Sequence, residues 1–82
     1  MIKIKNNVAV SDSGFIFNPD TGESFTVNPI GVEIIKLLKE GKNVDAITAD
    51  LHARYATDVQ TLEKDAEDFI GLLRNFSIAD NE

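Results

Sequence analysis

Apolar and polar positions alternate along the first third of the chain, and then the pattern changes to a helical repeat. Ile2-Lys3-Ile4-Lys5 alternates apolar with charged, and Val8-Ala9-Val10-Ser11 alternates again after Asn6-Asn7, as strands with one buried face do. The pattern leaves open whether residues 2–5 and 8–11 make one strand or two. Asp12-Ser13-Gly14 marks a turn, and Phe15-Ile16-Phe17 is a β-prone run closed by Asn18-Pro19-Asp20-Thr21-Gly22. That pentapeptide suits a hairpin loop, because Pro presets φ, Asp tolerates turn positions and Gly supplies positive φ. Residues 23–27 return as a strand, with Phe25 and Val27 on one face and Ser24 and Thr26 on the other.

Asn28-Pro29 switches the chain to helix, with Asn as N-cap and Pro in the first helical position. Ile30, Ile34, Leu37 and Leu38 then recur at helical spacing until Gly41 stops the helix. Gly31 lies on the same face, where a missing side chain permits close approach of a neighbouring element. A second helix begins near Asn43 and carries Val44, Ile47, Leu51 and Tyr55. A third, capped by Thr57 or Asp58, runs to about Asn75 with the stripe Val59, Leu62, Ala66, Phe69, Leu73 and Phe76. Short connections at 41–43 and 56–58 make consecutive helices packing neighbours.

Strands followed by helices define an α+β domain, a β-meander and then three helices. A hairpin joined to three tightly connected helices is also the plan of a winged helix-turn-helix. Eighty-two residues allow one domain. It is expected over residues 1–76, with 77–82 as a frayed, flexible acidic tail.

Charge narrows the partners. Of the net −6, residues 1–43 contribute nothing, since five acids balance five bases. Residues 44–82 hold nine acids against Arg54, Lys64 and Arg74. That half repels phosphate backbones and anionic lipid surfaces, so no nucleic acid and no membrane is expected as partner. A DNA-reading third helix would offer Glu63, Asp65, Glu67 and Asp68 against Lys64 and Arg74, the wrong sign for base and phosphate contacts. No apolar run approaches the roughly 20 residues of a bilayer span, and no signal-peptide pattern is present. A cytoplasmic location follows as the expectation.

Catalytic chemistry finds little to stand on. Without cysteine there is no disulfide framework, thiolate zinc site or cysteine nucleophile. The single His52 lies off its helix stripe, and Asp45 or Glu82 as an orienting partner is a guess. The carboxylates Glu63, Glu67 and Asp68 read as a solvated helix face, and the glycines sit singly rather than in a phosphate loop. A carrier-protein serine should open a helix, whereas Asp12-Ser13-Gly14 lies between strands. The expectation is a non-enzyme with no cofactor and no metal.

Two features exceed a simple core. Lys3 and Lys5 guard the first strand against stray pairing, whereas residues 23–27 contain no Lys, Pro or Gly and look like an open edge. The chain's own tail or a homodimer partner is the alternative cover for that edge. Asp65 falls inside the apolar arc of the third helix, between Leu72 and Phe76. It is either bonded to a neighbouring group of the fold or stands at the lip of a groove, beside the small Ala66.

The run GFIFNPDTGESFTVNPIGVEIIKLLKEGK, then DAITADLHARY and EKDAEDFIGLLRNF, resembles the PqqD-like family over about residues 13–76. The most specific parts are Thr26-Val27-Asn28-Pro29-Ile30-Gly31, the helix end from Leu37-Leu38 to Gly41, and Asp65 to Phe69. The resemblance implies three antiparallel strands and three helices, like a winged helix that has lost its DNA. It implies a peptide chaperone that binds the leader segment of a ribosomally made precursor peptide as an added strand. The chaperone then presents the peptide to a modifying enzyme, often a radical S-adenosylmethionine protein. The strand site would be Ser24, Phe25, Thr26 and Val27, and the helix wall Leu62, Asp65, Ala66 and Phe69. The alternative is a non-catalytic adaptor that docks a maturation enzyme without a peptide of its own.

Overall fold

The turn at Asn6-Asn7 splits the N-terminal alternation into two strands that enter different sheets. In the computed structural model, which describes residues 2–81, β1 (Ile2–Ile4) pairs antiparallel with β5 (Ala79–Asn81). β2 (Ala9–Val10), β3 (Phe15–Asn18) and β4 (Glu23–Thr26) form an antiparallel meander in the order β2-β3-β4. Among the described residues three helices follow it: α1 (Pro29–Lys39), α2 (Val44–Arg54) and α3 (Val59–Asn75). The α+β plan expected from the pattern is the one observed.

Local chemistry accounts for the boundaries. Asn28 and Asn43 cap their helices, the side-chain oxygens accepting from Gly31 N at 2.8 Å and Ala46 N at 2.9 Å. Asp58, not Thr57, caps α3 by accepting from Thr61 N at 3.3 Å. Gly14 takes φ +94 at the start of β3, and any Cβ there would collide with the carbonyl oxygen of Val27.

α1 is buried over most of its girth, with Val32 and Ile35 enclosed as well as Ile34, Leu37 and Leu38. It is the centre of the molecule rather than a one-faced helix. Ile16, Ile35, Ile47, Leu51, Leu73 and Ile78 have essentially no exposure and make a continuous core through the meander, the helices and the C-terminal segment. On α3, Val59 is 41% exposed, so the apolar stripe begins in earnest at Leu62. At the α1–α2 contact, Arg54 on α2 reaches Glu33 on α1 at 2.7 Å and Asp50 at 2.7 Å. The hydrogen bond that the guanidinium donates to Glu33 leads the effects that raise its pKa above the ordinary value.

Two expectations are corrected. The tail is not frayed through residue 81: Ser77 adopts φ 58 and turns the chain, Ile78 is fully buried, and Ala79–Asn81 zip onto β1. An Ile-Ala pair is too short for periodicity to reveal, but β1 needs a strand partner and the core an occupant at that end. Glu82 lies outside the described residues. The guarding lysines also sit elsewhere: Lys3 belongs to β1 and Lys5 follows it, outside the meander, with Lys5 Nζ 4.0 Å from Asp80. The meander's far edge is β2, protected by being two residues long.

Asn18 joins the halves. Fully buried on β3, its Nδ2 donates to the carbonyl oxygens of Phe76 at 3.4 Å and Ser77 at 3.3 Å, while its Oδ1 accepts from Asp20 N at 3.0 Å. The Phe25 and Phe76 rings meet beside it, centroids 5.1 Å apart. Asn18→Ala strands those carbonyls and opens a small void. It is expected to cost about 2 kcal/mol, a drop of roughly 8–16 °C in melting temperature, measurable by circular dichroism. A chain ending at Phe76 loses Ile78 and β5, and is expected to lose at least about 3 kcal/mol in urea unfolding.

Candidate functional site

The register of the hairpin decides which backbone groups of β4 are free. Val27 N donates to Gly14 O at 2.8 Å, and Ser11 N donates to Phe15 O at 2.9 Å on the other side of β3. Antiparallel bonding alternates, so the pairs Ile16↔Phe25 and Asn18↔Glu23 exchange the β3–β4 hydrogen bonds. The N–H and C=O groups of Ser24 and Thr26 therefore point away from β3. No strand covers them among the described residues, because β4 ends the order β2-β3-β4. Contrary to the alternative cover by the chain's own tail, the C-terminal strand goes to β1.

The side chains of β4 divide by the same alternation. Ser24 and Thr26 are exposed on the outer face, in register with Phe17 and Phe15, which are 38% and 47% exposed. Phe25 and Val27 are half-buried and pack against the core. Beyond Val27 the chain enters α1, and there a groove of about 390 Å³ opens between the first turns of α1 and the outer face of α3. Asn28, Ile30, Gly31 and Ile34 form one side, and Asp65, Asp68, Phe69 and Leu72 the other.

Gly31 makes the groove and the strand continuous. A Cβ at that position would stand 3.0 Å from Val27 Cβ, 3.2 Å from Phe69 Cζ and 3.3 Å from Asn28 Oδ1. Its bare backbone lets the ring of Phe69 approach the end of the β4 segment at Val27.

Of the residues expected to bind, the structure gathers Ser24, Phe25, Thr26 and Val27 on the edge strand and its continuation, and Asp65 and Phe69 on the groove. Leu62 and Ala66 are not on it. At 3% and 0% exposure they face the core, since the α3 stripe that meets α2 runs through Leu62, Ala66, Ile70 and Leu73. Asp65 is exposed at the groove lip rather than held inside an apolar arc. Sequence reading missed Asn28, Ile30, Ile34, Asp68 and Leu72 as lining residues. Ile30 and Ile34 carried a signal, standing with Gly31 on one helix face, but the second wall of a groove needs tertiary structure. His52 is exposed, its Nδ1 3.0 Å from the carbonyl oxygen of Thr57, and no cluster of metal-binding side chains occurs among the described residues.

An edge strand with outward backbone groups, set beside an apolar groove with an acidic lip, defines a small α+β module able to accept an extended segment on its sheet. The chain belongs to the PqqD family: the profile of Coenzyme PQQ synthesis protein D (PqqD) matches residues 14–76. Among solved structures it is similar to TbiB1 in complex with the TbiA(beta) leader peptide. The two are 30% identical with a TM-score of 0.87, over 98% of this chain and 96% of that one. It also shares the fold of a lasso peptide synthetase B1 complexed with the leader peptide. That likeness is at 19% identity and TM-score 0.85, covering 98% of each chain. None of the curated proteins matches this chain.

Gly31→Ala tests the groove floor. The new methyl presses on Val27 Cβ and the Phe69 ring, which must give by a few tenths of an ångström, while the gain in helix propensity of up to about 1 kcal/mol opposes the crowding. Stability is expected to stay within about 1 kcal/mol of the parent in chemical denaturation, with shifted Phe69 ring resonances.

Proposed function

We propose that this chain is a peptide chaperone, holding the leader segment of a ribosomally made precursor peptide as a strand beside β4 and presenting it to a modifying enzyme. The observation that carries this reading is the outward-facing backbone of Ser24 and Thr26, contiguous through Val27 and Gly31 with the apolar groove. Strand addition supplies affinity through main-chain hydrogen bonds, and alternate side chains dropping into a groove supply specificity. Membership of the PqqD family and the leader peptides named in the two related structures support the same reading.

The binding residues proposed are Ser24, Phe25, Thr26 and Val27, with Asp65 and Phe69 kept from the initial set and Ile30, Gly31, Ile34 and Leu72 added. The chain's role is to hold and hand over rather than to react, and a radical S-adenosylmethionine protein is one class of enzyme it would serve. No helix among the described residues is long and apolar enough to cross a membrane. A homodimer through the β4 edges would compete with peptide for the same hydrogen bonds.

Titration of labelled protein with the leader of its precursor is expected to shift the amides of residues 24–27 and the signals of Phe69 and Leu72, leaving α2 unmoved. Thr26→Pro removes one outward donor that no strand of the fold uses. It is expected to weaken leader binding at least tenfold, about 1.4 kcal/mol, in calorimetry while the fold is retained. Unchanged binding by Thr26→Pro, with shifts confined to the outer face of α2, would overturn the site on β4, and no shift at all on adding the leader would point to an adaptor that docks an enzyme.

A further inference from the structure

We infer that the groove selects leader segments carrying a lysine or arginine about two positions from the bulky apolar residue they seat, an inference that rests on the leader-binding reading of the same groove. The groove is chemically two-sided. Ile30, Ile34, Phe69 and Leu72 offer apolar surface, and Leu72 keeps 41% exposure with nothing in the described fold over it. Asp65 and Asp68 stand on the same rim and are the charged side chains that line it.

These carboxylates are unanswered within the fold. The cations at ion-pair distance from an acid go elsewhere: Arg54 to Glu33 and Asp50, Lys36 to Asp12, and Lys5 to Asp80. Lys64 stands one helical turn before Asp68, the less favourable order for such a pair, and no ion pair between them is present among the described residues. A peptide seated on β4 and continuing past Val27 would reach this rim and remove water from it. Carboxylates half-desolvated in that way favour a cationic guest and penalise an acidic one.

Geometry supplies the spacing. On one helix face the Asp65/Asp68 pair and the Phe69/Leu72 pair are displaced by roughly four residues, about 6 Å along the axis at 1.5 Å per residue. Side chains on one face of a strand recur about every 6.6–6.8 Å. A strand running along α3 therefore puts consecutive inward side chains over the apolar pair and the acidic pair. Residues between them face outward, beside Ser24 and Thr26 or Phe15 and Phe17, and carry no such requirement.

The test is selection of an mRNA-displayed random peptide library on the intact protein and on the Asp65→Asn/Asp68→Asn double variant. Both aspartates are exposed, so the variant is expected to melt like the parent. The parent should enrich peptides with a large aliphatic or aromatic residue and a Lys or Arg two positions away. The double variant should keep the apolar preference and lose the basic one. A selected peptide with its Lys changed to Gln should bind the parent at least tenfold more weakly, and the double variant with little change. Apolar enrichment without a basic residue at fixed offset, or a basic preference that survives in the double variant, overturns the inference and leaves leader binding intact. Failure of the parent to enrich any peptide overturns both, and failure of the double variant alone overturns the inference.

Discussion

The buried amide of Asn18 holds together two parts of the chain: the hairpin loop, through Asp20, and the end of α3, through the carbonyls of Phe76 and Ser77. A polar group this deep is tolerated only because both of its ends are satisfied. Its geometry fixes where α3 stops, and hence where Phe76 meets Phe25 and where the chain turns toward β5. The outer face of α3 is thereby held at a set distance from the edge of β4. The groove is a by-product of that latch and of the missing side chain at Gly31.

In the proposed reading, the edge and the groove divide the labour of recognition. Main-chain groups of Ser24 and Thr26 are indifferent to sequence, and they set how a segment lies rather than which segment it is. On that reading apolar side chains from α1 and α3 would discriminate size, and the aspartates charge. The arrangement is one of hydrogen-bonding backbone and apolar contact surface. Its free energy goes into ordering an otherwise flexible chain, which suits a module acting through another protein.

Much of the fold was legible in the pattern, because each helix carries its own start signal and each hairpin its own turn. Asn28, Pro29 and Asn43 act within four residues of themselves, and such short-range chemistry survives translation into structure. What escaped was the long-range part. Residues 77–81 gave no periodicity, yet Ile78 is among the most deeply enclosed side chains. Lys3 and Lys5 were assigned to the wrong sheet, since an alternating strand does not state its partner. At the site, the open edge could be read from missing guards. Leu62 and Ala66 were misplaced because a helical wheel gives an arc about 100° or wider without saying which part of it meets the core. Leu72 and Asp68, at the margin of that arc, turned out to be the groove.

The pairing of Ile2 with Asn81 has a consequence for how such a domain can be combined with others. Facing residues of an antiparallel pair lie only about 5 Å apart, so the chain enters and leaves the fold through one narrow doorway. A host protein could carry this unit as an insertion in a surface loop without stretching its own backbone. It could equally carry the unit at either end, with the open β4 edge undisturbed by the junction. Peptide recognition would then travel between enzymes as a cassette, free-standing in one setting and embedded in another, with the same sheet edge exposed in each.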